Sequence, residues 1–364
     1  MSGVDTRPQT RRAYIDVARG LAVLLMIEAH TVDAWTRVSA KHGPAFRDAT
    51  ILGGFAAPLF LWLAGVAVVL AATRAEVKLG SRAAAIDSIC RRGFEIFILA
   101  FLFRLQAFIV SPGSHPVTLF RVDILNVMGP AIALAGLAWG AARSNAARVW
   151  VFAVAAAAVA MITPIVRAAA WIDLLPTWLQ WHFRPAGEFT TFTLFPWTGF
   201  VLAGGATGAL VASARVEAAE TRVHVWHAVA GAGLVAIGFI TAARPSIYAV
   251  SSFWTSSPTW FAIRLGAMML ALGVLFAALR SPYLARRTSG LARFGRSSLF
   301  VYWIHVELVY GYASWLWRGR LPLWGTAIAW ALFSFAMYRA IDLRDAIVAR
   351  MRRYREPDFQ LTTT

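Results

Sequence analysis

From residue 14 onward, long apolar stretches alternate with short polar connections that are mostly basic. Windows of about 20 residues, set against a hydrocarbon core about 30 Å thick, yield ten candidate spanning helices. They cover residues 17–35, 50–72, 94–110, 124–141, 149–166, 193–212, 225–243, 260–279, 299–317 and 323–340. A span in lipid must satisfy its own backbone groups, so the pattern predicts an all-α, polytopic integral membrane helical bundle. Residues 1–13 are expected to be a basic cytoplasmic tail ahead of the membrane domain at 14–341, and 342–364 an amphipathic basic cytoplasmic tail whose segment DLRDAIVARMRRYREP reads as a surface helix.

The first span departs from this pattern. Its sequence, RAYIDVARGLAVLLMIEAHTVDAW, takes Asp16, Arg19, Glu28, His30 and Asp33 toward the membrane. An ionisable group at bilayer depth costs roughly 2.5 to 3.5 kcal/mol on insertion scales, which marks such positions as functional candidates. At about 100° per residue, Asp16, Arg19, Val23, Met26, His30 and Asp33 share one arc of roughly 100°. That face must look into protein or water. Glu28 points the other way and needs a partner of its own.

Apolar residues make up 59% of the 364 and charged ones 15%, which excludes a soluble enzyme with a single anchor. About 24 of the 35 basic residues fall on the N-terminal tail, the even-numbered connections, the C-terminal tail and the adjoining span edges. Positive charge stays inside, so both termini are predicted to be cytoplasmic. The net charge of +17 then reflects topology and contact with anionic lipid rather than nucleic-acid binding. The single Cys90 forms no internal disulfide. The tryptophans of RAAAWIDLLPTWLQWHFRPAGEF, on the outer side, suit an interfacial belt better than a sugar-stacking platform.

Phosphate-binding glycine loops, HExxH, paired CxxC and GxSxG are all missing, and no metal site is predicted. The glycines of GFVLAGGATG lie within a span, where they favour close helix packing. The candidate chemistry therefore rests on intramembrane polar residues. His30 is expected in the outer half of its helix with Asp33 one turn further out, placed to orient the imidazole. In the ninth span, Ser298, Tyr302, His305 and Tyr312 fall on one side and Glu307 on the other. Arg104 and Arg264 read as counter-charges for Asp33 or Glu28, or as substrate ligands. The pairs Arg121 with Asp123 and Arg19 with Asp16 read as bridges at helix ends.

The opening IDVARGLAVLLMIEAH resembles the start of the heparan-alpha-glucosaminide N-acetyltransferase catalytic-domain family. The related family-3 membrane acyltransferases share the Asp, Arg-Gly and His pattern, here Asp16, Arg19, Gly20 and His30. GGFAAPLFLWLAGVAVVL, RRGFEIFILAFLFR, FRVDILNVMGPAIAL, FPWTGFVLAGGATG and FGRSSLFVYWIHVEL follow in the order of that family, so the resemblance runs from about Arg12 to His305.

The resemblance implies a membrane-embedded acyltransferase of a bacterial inner membrane. It would take an acetyl group from cytoplasmic acetyl-CoA to a glycan or lipid-linked sugar on the far side, with no metal. By position, His30 matches the family-3 histidine, while His42 matches a loop histidine of the lysosomal members. His30, His42, Asp33 and His305 are thus the catalytic candidates, and His is the side chain that serves as a base near neutral pH with least tuning. Direct transfer and an acetyl-imidazole relay both remain open. Arg91, Arg92, Arg293 and Arg296 are candidates for the phosphates of CoA, and equally for topology determinants. Two other classes fit the spans: a small-anion transporter with Arg104 and Arg264 as ligands, and a noncatalytic partner in envelope assembly.

Overall fold

The structure, a computed structural model, describes residues 12–110, 115–214 and 216–355, the last four by their backbone alone. Most of the predicted N-terminal tail (residues 1–11) and the end of the C-terminal segment (356–364) lie outside the described residues. Fourteen α-helices follow one another among the described residues. They are α1 (Ala13–Trp35), α2 (Pro44–Gly53), α3 (Ala56–Leu79), α4 (Arg82–Val110), α5 (Ile124–Ala141), α6 (Asn145–Ala168) and α7 (Thr177–Gln180). Then come α8 (Leu194–Ser213), α9 (Glu217–Ala242), α10 (Pro258–Ala278), α11 (Pro282–Arg287), α12 (Ser289–Arg296), α13 (Ser298–Tyr310) and α14 (Leu323–Arg355). Extended backbone is limited, among the described residues, to two isolated bridges.

Seven described segments are long and apolar enough to cross a membrane: α2 with α3, then α4, α5, α6, α8, α9 and α10. The other three predicted windows also fall on helices, each for a reason less plainly apolar. Three charges interrupt the first eighteen residues of α1, α13 has only 13 residues, and α14 runs on into a charged half. The ninth window was expected to reach residue 317. Instead α13 stops at Tyr310, where the Ser314 hydroxyl donates to the Val309 carbonyl (2.6 Å) and occupies one of the acceptors a helix end leaves open. Conversely, α4 starts twelve residues ahead of its apolar window (94 − 82) because Arg91 pairs with Asp87 and Arg92 with Glu95 along the helix. The expected domain boundary at 341/342 falls inside the unbroken helix α14.

The bundle is centred on α3 and α8. The apolar stretch of α8 is 72% buried, while those of α4 and α9 are 17% buried and turn their side chains outward. On α4 the outward stripe is Phe94, Ile98, Leu102, Leu105 and Ile109, an apolar face suited to acyl chains. Glycine sets the closeness of the central pair. A Cβ on Gly65 would collide with the Val201 carbonyl, and one on Gly204 with the Trp62 carbonyl. The two backbones touch without intervening side chains, as small residues permit in lipid.

The same device fixes α1. Gly20 lies against the Leu291 carbonyl and Gly295 against the Asp16 carbonyl, so α12 crosses the first half of α1 backbone to backbone. Helix α13 follows directly and is delivered beside the second half. At the far end, the Ala34 and Trp35 carbonyls accept from Gly319 N–H (2.9 Å) and Leu321 N–H (3.0 Å). Trp35 Nε1 donates to the Val309 carbonyl at 3.1 Å and Trp330 Nε1 to the Leu24 carbonyl at 3.1 Å. These bonds hold α1, α13 and α14 in one register.

Candidate functional site

A cavity of about 990 Å³ is enclosed chiefly by α1, α3, α4, α5 and α13. The face of α1 that carries Arg19, Met26, His30 and Asp33 lines it, so the polar stripe looks into the bundle rather than into lipid. Arg19, Arg92 and Ser298 lie toward the end where α1 begins. Asp33, Arg121, Tyr310 and Arg318 lie at the opposite end. On α1, His30 stands 11 residues beyond Arg19 (30 − 19), about 17 Å along the axis. The matching interval on α4, from Arg92 to Phe103, is the same 11 residues (103 − 92). Two cations therefore lie toward the end of the cavity where α1 begins, each about three helical turns before His30 or Phe103 on its own helix.

His30 meets His305. Nδ1 of His30 and Nε2 of His305 are 2.8 Å apart, with rings nearly parallel at 6°. His305 is fully buried behind His30, and its Nδ1 lies 2.8 Å from the Val301 carbonyl. A carbonyl only accepts, so that Nδ1 carries the proton and Nε2 of His305 is a bare acceptor. Nδ1–H of His30 must then donate to it. The nitrogen left to His30 is an unprotonated Nε2, on a ring that lines the cavity.

Asp33 does not orient His30. Its carboxylate accepts from the Tyr310 hydroxyl at 2.9 Å and faces Lys41 Nζ at 3.8 Å, because one helical turn carries it out to the mouth. Tyr310 in turn packs edge-on against His30 with centroids 5.6 Å apart. His42 is exposed in the α1–α2 connection and does not line the cavity. Of the arginines expected near phosphate, Arg92 reaches the cavity, while Arg91 is exposed beside Asp87. Arg296 is exposed on α12, and Arg293 is bound to Asp342 and, at 2.8 Å, to Asp345.

The intramembrane counter-charges are also redistributed. Arg104 pairs with Asp123 at the start of α5, so it serves neither Asp33 nor Glu28, and Arg121 donates to Thr191 Oγ1 at 3.3 Å. Arg264 donates to the Gly54 carbonyl and lies over the rings of Phe55 (4.7 Å) and Trp260 (4.9 Å). Glu28 is buried against Gly53, and among the described residues its Oε2 has no hydrogen-bond partner. The Arg19–Asp16 bridge forms at 3.6 Å. Trp171 and Trp178 are about half exposed, as a belt requires, whereas Trp181 is buried in a stack on Phe189 at 4.8 Å.

Sequence reasoning overlooked Tyr310 and Arg318, whereas Arg19 lines the cavity on the inward face that the helical spacing predicts. Helical spacing places Tyr302 on the side of His305 but puts Tyr310, five residues on, about 140° away, so spacing alone does not single it out. It also overlooked a second polar cluster at the start of α9. There Glu220 accepts from Arg12 Nε and from the Tyr14 hydroxyl, both at 2.7 Å, and His227 bonds Thr207 Oγ1 at 2.9 Å. This cluster clamps the beginning of α1 to α9, outside the wall of the cavity.

Compared with known proteins, the chain matches a family model over residues 11–238, more than half its length, and that model is described as "Heparan-alpha-glucosaminide N-acetyltransferase, catalytic". No curated protein matches the chain. The matched segment holds His30, Arg19 and Arg92. His305 and the two tyrosines of α13 lie beyond it.

Proposed function

Starting from the fact that the chain belongs to the heparan-alpha-glucosaminide N-acetyltransferase catalytic family, we propose that it transfers an acetyl group from acetyl-CoA to a sugar across a bacterial inner membrane. The family and the apolar helices establish an integral membrane protein with an acetyltransferase-type domain. The donor, the acceptor, the membrane and the sidedness are our reading.

One observation carries that reading: a single cavity joins two arginines at one end to the bare nitrogen of His30 and continues to a polar mouth at the other. Arg19 and Arg92 suit the phosphates of CoA, which need delocalised or point positive charge at a depth the pantetheine arm can span. The acetyl thioester then lies near His30. An acceptor amine or hydroxyl, entering past Asp33 and Arg318, attacks the carbonyl carbon while Nε2 of His30 takes its proton. The C–S bond breaks, and the imidazolium returns that proton to the thiolate. His305 stays neutral throughout, holding His30 in the productive tautomer.

Purified protein in detergent, given acetyl-CoA and amino-sugar or glycan acceptors, should release CoA and yield an acetylated sugar detectable by mass spectrometry. His30→Ala should slow this by about 10²- to 10⁴-fold, the usual worth of a positioned base. Full turnover in that variant rejects the mechanism. Transport of a small anion with no consumption of acetyl-CoA rejects the enzyme.

A further inference from the structure

We infer that Tyr302 is a catalytic residue that binds the thioester carbonyl oxygen through its hydroxyl. This rests on the acetyltransferase reading above and adds the group that stabilises charge where the mechanism so far has only a base.

The placement follows from the register of α1 and α13. His30 meets His305, Asp33 meets Tyr310 and Trp35 meets Val309, so the two helices run in the same direction. Tyr302 comes three residues before His305 (305 − 302), about 4.5 Å back toward the end that holds Arg19 and Ser298. A donor entering from that end reaches Tyr302 just before it reaches His30. Two tyrosines of α13 thus flank the base along the cavity, one on the donor side and one on the acceptor side, and both line it.

Their hydroxyls differ in commitment. That of Tyr310 is given to Asp33 at 2.9 Å. Among the described residues no group accepts a hydrogen bond from the Tyr302 hydroxyl, which leaves its proton for a ligand in the cavity. Its ring is held between Phe103 (centroids 5.5 Å) and His305 (6.0 Å), so the hydroxyl is fixed in place before any ligand arrives. Arg104 and Arg121 line the same cavity. A prepositioned donor in a water-poor site is the arrangement that stabilises an oxyanion.

The step balances. As the acceptor atom bonds to the carbonyl carbon, the C=O π pair moves onto oxygen and Tyr302 O–H hydrogen-bonds to it. The acceptor proton goes to His30 Nε2. On collapse the π bond re-forms, the C–S pair leaves on sulfur, and His30 returns the proton to it. No oxidant or further reactant is needed.

The test is steady-state kinetics of detergent-purified Tyr302→Phe with acetyl-CoA and the acceptor established for the parent protein. We expect kcat to fall about 10²- to 10³-fold with the KM for acetyl-CoA nearly unchanged and the melting temperature retained. A lower melting temperature would point to packing, and 3,5-difluorotyrosine at position 302 then replaces the variant. That residue keeps the ring but ionises at lower pH, so turnover should be lost at a lower pH than in the parent. Parental kcat in Tyr302→Phe, or a parental pH profile with difluorotyrosine, overturns the proposal while His30→Ala remains slowed. If the parent protein itself never consumes acetyl-CoA, the acetyltransferase reading has failed instead.

Discussion

His305 shows how one buried hydrogen bond can decide the chemistry of another residue. The Val301 carbonyl fixes its proton on Nδ1, its Nε2 then fixes the proton of His30, and the free lone pair ends up on the cavity side. Removing His305 would leave His30 Nδ1–H without its acceptor and free the ring to take the wrong tautomer. We expect His305→Ala to reduce kcat by about 10²-fold or more, in the direction seen when orienting partners of catalytic histidines are lost. In His305→Gln the side-chain oxygen can still accept from Nδ1, and part of the rate should return. Equal loss in both variants would mean that His305 only fills space. His42 is exposed and outside the cavity wall, so His42→Ala should turn over near the parental rate in the same assay.

Among the helices, close approach and charge pairing do different work. At the crossing of α3 with α8, Gly65 and Gly204 face each other's neighbouring carbonyls, and no flexible side chain can give way. Gly204→Val should destabilise the bundle by about 1 to 3 kcal/mol or more, read as a lower melting temperature in detergent. Gly233→Ala should be tolerated, since open space surrounds that position.

At the other extreme, Arg293 ties α12 to α14 through Asp342 and Asp345. Hydrogen bonds from Arg293, then Arg344, hold the Asp345 carboxyl below its ordinary value of 3.8. Because its pKa is depressed on folding, the tie is complete above the unfolded value and is lost as pH falls through the folded one. Asp345 is partly exposed, so salt weakens the tie as well. Amide exchange around residues 342–351 should therefore be slow at neutral pH and faster in acid or high salt. Arg293→Ala should speed that exchange and leave the KM for acetyl-CoA unchanged, whereas Arg92→Ala, in the cavity wall, should raise it.

For the whole molecule, the proposed transfer requires that the two ends of the cavity open to different compartments. On that reading, the basic-residue asymmetry predicts the Arg19 and Arg92 end on the cytoplasmic side and the Asp33 and Arg318 end outside. A cysteine in place of exposed His42, in a Cys90→Ala background, should react with an impermeant thiol reagent in intact spheroplasts. In sealed inverted vesicles, acetyl-CoA added outside should label a sugar enclosed within. Labelling of the cysteine only after lysis would invert the topology and, with it, the direction of transfer.

The sequence by itself determined the all-helical membrane bundle, because apolar length is a property of each segment and a lipid solvent permits almost no other spanning structure. It also determined that one face of α1 turns inward, since a buried charge cannot be left in acyl chains. The resemblance named the family, and the family model matches residues 11–238. Which polar groups meet was decided by the tertiary structure. Arg104 found Asp123, Arg293 found Asp342 and Asp345, and Asp33 found Tyr310, all partners set by which helices lie side by side. The pairing of His30 with His305 joins positions 275 residues apart and depends on the crossing of α12 with α1 at Gly20 and Gly295 and on the bonds that tie Trp35 to α13. Helical periodicity gives the direction in which a side chain points. What waits there depends on packing between helices that no single segment encodes.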